Sequence, residues 1–326
     1  MSFLPANAQH IGARSSQQDS FGFGDPEDEA FLAHGGFVAV VCDGMGGMEH
    51  GDLASRTAVR AFLEAYRKKN PRESIPAALE RSVREANDRV VEMAHELGAA
   101  ESVGTTLVAA VLVDPGAEAK EMYFISVGDS GLFYVSGGQM QTVNRPHIFA
   151  NLLDSAVARG TMSKEQAMLH PERESLTSFI GVEVLEEIDR NVDPWPMSEG
   201  DSILLASDGL FKTLTTEQIL GTLNGHPQRW PDALVARTLQ EKYEYQDNVT
   251  VLSVTVRDKP DTLKLPPPAV EVEKTVKPEK TLLLPPRKRS RRMVALALAI
   301  GIAGIAIAGG GWLYKKHHAA HVVEKK

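Results

Sequence analysis

Short apolar and β-branched runs between polar turns predict a sheet-rich front part of the chain. Continuous runs of this kind are typical of strands that are covered on both faces. They lie at 36–42, 105–113, 122–127, 132–136, 203–206 and 249–256. Gly137-Gly138 directly follows the fourth run, which predicts a two-residue hairpin to a further strand at 139–143.

Two longer segments carry apolar residues at helical spacing. Residues 52–69 end before Pro71 and residues 73–97 end at Gly98, so both are predicted helices with recognisable stop signals. A third stretch, 148–170, has a less regular helical pattern. Hairpin-linked strands with few helices predict an antiparallel α+β layered fold.

The C-terminal part of the chain predicts a membrane anchor. Residues 293–314 contain no charged side chain over 22 positions, and a helix of that length spans ~33 Å, enough for a bilayer core of ~30 Å. Trp312 and Tyr314 stand at one end, as interfacial aromatics do. We therefore expect a domain at 1–258, a Pro-rich basic linker at 259–292, one transmembrane helix at 293–314 and a short basic tail at 315–326.

Charge and composition narrow the function. Residues 1–258 hold 21 Lys/Arg against 38 Asp/Glu, whereas residues 259–326 hold 14 against five. An acidic front domain is a poor match for a phosphate backbone, so no nucleic-acid partner is expected. The single cysteine, Cys42, excludes an intrachain disulfide and a cysteine-rich zinc site. The first 23 residues have no apolar stretch of signal-peptide length, so we expect a single-pass membrane protein whose front domain is cytoplasmic.

Four aspartates stand at the ends of the apolar runs. Three follow a run and the fourth precedes one: Asp43, Asp129, Asp208 and Asp247. In an antiparallel sheet the end of one strand lies beside the start of the next, so these acids are expected to meet at one edge of the sheet. Divalent cations would remove their mutual repulsion, and oxygen ligands favour Mg²⁺ or Mn²⁺ over zinc. The alternative is that Asp-Gly pairs at strand ends are ordinary turn formers.

Six ordered motifs resemble the metal-dependent protein phosphatases of the PPM type (protein phosphatase 2C), especially bacterial membrane-anchored members. They span roughly residues 5–257 and read Gly12-Ala-Arg-Ser-Ser-Gln-Gln-Asp19, Val41-Cys-Asp-Gly-Met-Gly-Gly47, Gly104-Thr-Thr106, Val127-Gly-Asp-Ser130, Ala206-Ser-Asp-Gly209 and Gln246-Asp-Asn-Val-Thr250. The resemblance implies an antiparallel β-sandwich flanked by helices, with a metal site at one end.

The resemblance also implies roles for the acids. Asp43 would bridge two metal ions, and the Gly44 carbonyl would bind one of them. Asp208 and Asp247 would complete the second ion's ligands. Asp129, together with Asp208, matches a third-metal position of bacterial members. The cofactors implied are therefore two Mg²⁺ or Mn²⁺ ions, with a third position available.

Two further residues would serve the reaction itself. Arg14 matches the arginine that holds the substrate phosphate, a role that suits its planar fork of donors. Asp19 matches an acid that hydrogen-bonds metal-bound water. The resemblance implies that a water activated by the two ions attacks phosphorus, without a protein nucleophile.

The chain departs from the family pattern at several positions near the site. Gln18 stands where many relatives have Glu, Met48 where bacterial members often have His, and Gly131 where Arg is frequent. The segment 144–148 is a poor match to the usual sequence. These departures leave the metal acids in place. They affect the positions expected to recognise the substrate and the segment 145–175, which we call the flap.

The leading hypothesis is a membrane-tethered phosphatase that acts on phosphoserine and phosphothreonine in proteins. The departures keep open a catalytically weak or inactive phosphoprotein-binding module with the same fold. A third possibility is a metal-dependent hydrolase of small phosphate esters. The predicted anchor makes a membrane-associated Ser/Thr kinase a natural counterpart.

Overall fold

The computed structural model describes residues 2–45, 50–100, 102–116 and 119–257. The linker, the transmembrane helix and the tail predicted within 259–326 lie outside these residues, as does Met48. Across the described residues, no helix combines the length and the apolar character needed to cross a bilayer. The membrane span and the predicted domain boundaries therefore stay predictions.

Two antiparallel sheets form the centre of the molecule. One has the strand order β1-β12-β11-β7-β8 and the other β10-β6-β5-β3-β2, with β4 beside β3 and β9 beside β6. The strands are β1 (Phe3–His10), β2 (Asp19–Phe23), β3 (Phe37–Met45), β4 (Gly104–Thr105), β5 (Leu107–Val113), β6 (Lys120–Val127), β7 (Gly131–Ser136), β8 (Gln139–Thr142), β9 (Asp189–Arg190), β10 (Trp195–Met197), β11 (Ser202–Ala206) and β12 (Val249–Val256).

The helices cover the outer faces of the two sheets. α2 and α3 pack on the seven-stranded sheet, and α8 packs on the five-stranded sheet. The helices are α1 (Glu29–Gly35), α2 (Gly51–Tyr66), α3 (Ile75–Glu96), α4 (Phe149–Ala158), α5 (Lys164–Met168), α6 (Asp208–Phe211), α7 (Thr216–Thr222) and α8 (Trp230–Gln240). This arrangement confirms the predicted α+β class and the antiparallel β-sandwich flanked by helices.

The alternation of side chains along β3 explains why the apolar runs are continuous. Phe37, Ala39 and Val41 belong to the core between the two sheets, whereas Val38 and Val40 belong to the core under α2 and α3. Successive side chains of a strand point to opposite faces, so a strand in this position is apolar on both. The same reasoning applies to the five-stranded sheet, whose outer face meets α6, α7 and α8.

The predicted long helices and the hairpin are confirmed, with shifts of a few residues at their ends. Ser74 begins α3 by accepting a hydrogen bond from the Ala77 backbone N–H. The prediction of one helical stretch at 148–170 was wrong in part, because α4 and α5 are separated by a turn. Gly160 has a φ of 73° in that turn, and Ser163 starts α5 with a capping box.

Candidate active site

The predicted metal acids lie at one end of the β-sandwich, where both sheets contribute. Asp43 is within β3 and Asp129 follows β6, both in the seven-stranded sheet. Asp208 follows β11 and Asp247 precedes β12, both in the five-stranded sheet. The expectation of a single sheet edge was therefore wrong, because one pair of aspartates adjoins strands of the seven-stranded sheet and the other pair adjoins strands of the five-stranded sheet.

Asp19 connects the two sheets at this end. It is the first residue of β2, and it stands opposite Asp43 in the β2–β3 register. Its Oδ2 accepts hydrogen bonds from Ser207 Oγ and from Thr250 Oγ1, each at 2.7 Å. Both donors belong to the five-stranded side, so this carboxylate holds the two halves of the site together. Sequence reasoning missed both hydroxyls, although Ser207 directly precedes Asp208.

Burial and mutual repulsion raise the pKa values of the two innermost carboxyls. Burial is the main cause for Asp43, whose pKa lies well above its usual range, and the charges of the other four aspartates raise it further. Burial also raises the pKa of Asp19, to about 7, although its two hydroxyl donors act in the opposite direction. These directions agree with the contacts of Asp19, which stands opposite Asp43 and accepts a hydrogen bond from Ser207 next to Asp208.

The backbone around Asp43 is fixed by neighbouring hydroxyls. Thr106 Oγ1 accepts a hydrogen bond from the Asp43 N–H at 2.9 Å, and Thr105 Oγ1 donates to the Asp43 carbonyl at 2.8 Å. Thr106 also shares a hydrogen bond with Ser130, next to Asp129, at 2.6 Å. The Gly-Thr-Thr motif therefore positions Asp43 and ties it to the Asp129 loop.

Gly44 has backbone on both sides that leaves no room for a side chain. A Cβ at this position would lie 2.1 Å from the Gly51 carbonyl oxygen and 2.6 Å from that of Gln18. Its N–H donates to the Gln18 carbonyl at 3.1 Å. Position 44 therefore requires glycine because two backbone carbonyl groups, those of Gly51 and Gln18, approach its Cα closely.

Asn248 organises the loop that carries Arg14. Its Oδ1 accepts from the Gln18 N–H at 2.7 Å, and its Nδ2 donates to the carbonyls of Ile11 and Ser16. Arg14 Nη2 in turn donates to Asp247 Oδ2 at 2.6 Å. The predicted phosphate-binding arginine therefore lies beside the predicted metal acids, with 55% of its side chain exposed.

Lys212 is a residue at this site that sequence reasoning missed. Its Nζ lies 2.6 Å from Asp208 Oδ2 and 3.4 Å from Asp129 Oδ2. Burial opposes the charge of this ammonium, but the two carboxylates prevail and raise its pKa well above the usual range. The i,i+4 spacing from Asp208 was the available signal, since residues so spaced face each other on a helix.

The donor set suits hard divalent cations. All its side-chain ligands are carboxylates, and Asp19 Oδ1 is buried without a hydrogen-bond partner among the described residues. Within the described ranges, no group of three or more His, Cys, Asp or Glu side chains is drawn together tightly enough to hold an ion as it stands. The cations of Arg14 and Lys212 pair with three of the acids instead. Binding of two ions would require the acids to close around them and the Arg14–Asp247 pair to loosen.

The departures from the family pattern are accommodated by local packing. A Cβ at Gly131 would lie 2.6 Å from the Phe133 ring and 3.0 Å from that of Phe211, so these two rings occupy the space of a larger side chain. Asn144 is buried, and it bonds the Leu132 N–H and the Ser130 carbonyl. The residue that directly precedes the flap is thus hydrogen-bonded to the loop that carries Asp129.

Comparisons with known proteins agree with this architecture. The family model described as protein phosphatase 2C matches residues 7–250. The serine/threonine phosphatase stp of Listeria innocua is 32% identical over 220 residues, which cover 67% of this chain and 83% of the relative. The serine/threonine protein phosphatase PstP of Mycobacterium tuberculosis is 26% identical over 315 residues, which cover 86% of this chain and 57% of the relative.

A solved structure shares the fold. The catalytic domain of serine/threonine protein phosphatase PstP, crystallised with two manganese ions, matches with a TM-score of 0.60 and 23% identity over 78% of this chain and 99% of that one. The motifs, the fold and the matches lead to the same result. The chain therefore belongs to the protein phosphatase 2C family, as its motifs predict, and is an enzyme of the serine/threonine phosphatase class.

Proposed function

We propose that this chain hydrolyses phosphoserine and phosphothreonine esters of proteins with Mn²⁺ or Mg²⁺ bound at the five-aspartate end of the sandwich. The observation that carries the proposal is the convergence of carboxyls from both sheets. Asp19 stands opposite Asp43 and accepts a hydrogen bond from Ser207, which directly precedes Asp208. Arg14 lies beside them, paired with Asp247. The names of two relatives, serine/threonine phosphatase stp and serine/threonine protein phosphatase PstP, support the same assignment.

Four residues would hold two ions in this proposal. They are Asp43, Gly44 through its carbonyl, Asp208 and Asp247. Asp129, together with Asp208, lines the position of a third ion that the resemblance implies. When bound, divalent ions would supply an activated water and offset the negative charge of the phosphoryl group. The overall reaction adds water across the P–O bond, so that the products are inorganic phosphate and the free Ser or Thr hydroxyl.

Arg14 is suited to binding and orienting the phosphate. A guanidinium carries five N–H donors in one plane, and Asp247 accepts from Nη2. Pairing with Asp247 directs the fork toward the acid cluster, and its exposure makes it accessible to a substrate from solvent. A bidentate contact would fix two phosphate oxygens and so set the direction from which water attacks.

Asp19 is suited to holding a water within the site. Its Oδ2 is bound by two hydroxyls, whereas Oδ1 is buried and has no donor among the described residues. A water at this position would donate a hydrogen bond to Oδ1. The carboxyl can accept hydrogen bonds there because its orientation is fixed from both sheets.

The substrate assignment is tested by comparing phosphate esters. The full chain, purified in a mild non-ionic detergent, should release phosphate from a phosphothreonine peptide faster than from a nucleotide or a sugar phosphate. Preference for the small esters would instead support a small-molecule hydrolase.

The alternative of a phosphoprotein-binding module has its own observation. Arg14 and Lys212 already pair with three of the acids. Saturable binding of the phosphothreonine peptide, with Mn²⁺ present and no phosphate release, would favour this alternative.

We also propose that the enzyme is held at the cytoplasmic face of a membrane by residues 293–314. The proposal is supported by the 22 uncharged positions there and by the basic residues on both sides. After cell fractionation, the full chain should remain with membranes washed in alkaline carbonate. A chain that the wash releases would refute the anchor without affecting the phosphatase assignment.

A further inference from the structure

Lys212 occupies the space between two of the predicted metal acids. Its ammonium lies within ion-pair distance of both Asp208 and Asp129. The two carboxylates are 17% and 13% exposed, whereas the lysine side chain is 47% exposed. The lysine therefore lies on the solvent side of the two acids and reaches inward to them.

The backbone of α6 places Lys212 beside Asp208. Lys212 is the C-cap residue that directly follows α6, and its N–H donates to the Asp208 carbonyl at 2.9 Å, so the two side chains lie one helical turn apart on the same face. α6 packs closely against the start of β12. A Cβ on Gly209 would lie only 2.0 Å from the carbonyl oxygen of Asn248, the residue before β12. The ammonium is thus tethered to the acid that it neutralises.

We propose that Lys212 is a built-in cation that takes the place of a divalent ion at the Asp129–Asp208 pair. The chain would then bind two ions and not three, and Asp129 would form an ion pair with Lys212 in place of binding a metal ion. This inference rests on the proposed metal-dependent function and concerns the number of ions.

The chemistry of the pair favours this assignment. Two carboxylates attract a cation strongly, and a tethered ammonium is present at high effective concentration whatever the metal supply. An incoming divalent ion at the same position would be repelled by the ammonium or would have to displace it. Removal of the charge at residue 212 should therefore open a position that the native chain keeps closed.

The experiment counts bound manganese directly and does not depend on activity. The full chain is stripped with chelator, dialysed and titrated with Mn²⁺, while electron paramagnetic resonance measures the free ion. The native chain should bind two ions. Lys212→Met and Lys212→Gln should each bind three, and Lys212→Arg, which keeps the charge, should bind two.

Two controls separate a local effect from a general one. Arg237→Met breaks another i,i+4 ion pair, with Glu241 at 2.6 Å, that shares no residue with the acids, and it should bind two ions. Adding Asp129→Asn to Lys212→Met should return the count to two. Circular dichroism establishes that each variant is folded.

Each contrary result has a distinct meaning. A native chain that binds three ions, or neutral variants at residue 212 that still bind two, would overturn the role of Lys212 while leaving the phosphatase assignment intact. A folded native chain that binds no manganese would overturn both proposals.

Discussion

The raised pKa of Asp19 predicts that the metal-free protein loses stability as the pH rises. Its carboxyl has an ordinary pKa of 3.8 and a folded-state pKa of about 7. Between these values the folded chain binds a proton that the unfolded chain has released, so ionisation penalises only the folded state. The penalty begins near pH 4 and is complete above about pH 7.

The size of the penalty follows from the shift. About three pKa units correspond to about 4 kcal/mol at pH 8, at about 1.4 kcal/mol per unit. At pH 5 the same shift gives only about 1–2 kcal/mol. Asp19 is 4% exposed, so solvent screens this effect little.

Asp19→Asn tests this reasoning because it keeps the shape and removes the charge. The amide oxygen can still accept from Ser207 and Thr250, while the new NH₂ group has a cost that does not change with pH. The gain in stability over the native chain should therefore be larger at pH 8 than at pH 5 by about 3 kcal/mol. Asp19→Asn also removes the repulsion between Asp19 and Asp43, which raises the pKa of Asp43. This second effect likewise makes the gain in stability larger at pH 8 than at pH 5.

The assay is urea unfolding of the full chain with chelator present, followed by tryptophan fluorescence at both pH values. Asp201→Asn is a matched control, because Asp201 is also buried but accepts from Tyr134 and Ser198 at the opposite end of β11 from Asp208. This control should gain nothing at pH 8. An Asp19→Asn variant with the same change in stability at both pH values would refute the reasoning.

Three further predictions concern single residues of the site. Asp208→Asn should lower Mn²⁺-dependent turnover on the order of 100-fold or more, since even residues that only support metal ligands cost 10–100-fold; an unchanged rate would exclude Asp208 as a ligand. Gly209→Ala should destabilise the protein in thermal unfolding by roughly 1–3 kcal/mol, because the new Cβ would overlap with the Asn248 carbonyl. Gly221→Ala in α7 is the control and should be neutral or stabilising, because no atom lies within 4 Å of the new Cβ. Asn248→Ala should cost roughly 3 kcal/mol in urea unfolding, about 1 for each of its side-chain hydrogen bonds to the 11–18 loop, and a cost near zero would contradict its organising role.

Apart from β8, which the Gly137-Gly138 turn indicated, the strands predicted from the sequence are those with continuous apolar runs, which reflect cover on both faces. β1 was missed since it lies at a sheet edge, pairs with β12 alone and contains Pro5 and Asn7 among its apolar residues. β2 was missed because it is short, starts with Asp19 and includes Gly22. Local pattern does not report a partner strand that is distant in sequence.

Site residues next to the end of a strand could be predicted from the sequence. Site residues that are defined only by contacts with distant parts of the chain could not. Four aspartates could be found because each lies at the end of a buried run, namely Asp43, Asp129, Asp208 and Asp247, whereas Asp19 was indicated only by the family resemblance. Their division between two sheets could not, because the runs do not reveal which strands pair. Ser207 and Thr250 give no signal of their own, since a hydroxyl in a strand reads as an ordinary polar residue until Asp19 is placed beside it.

The central claim is that the aspartates at this end of the sandwich hold divalent ions that drive phosphate ester hydrolysis. The most direct measurement is phosphate release from a phosphothreonine peptide by the full chain, titrated with Mn²⁺ and then with chelator, for the native protein beside Asp43→Asn and Asp201→Asn. The account predicts turnover that rises with Mn²⁺, stops with chelator, is retained in Asp201→Asn and is lost in Asp43→Asn. Turnover that is independent of manganese, or that Asp43→Asn retains in full, would contradict it.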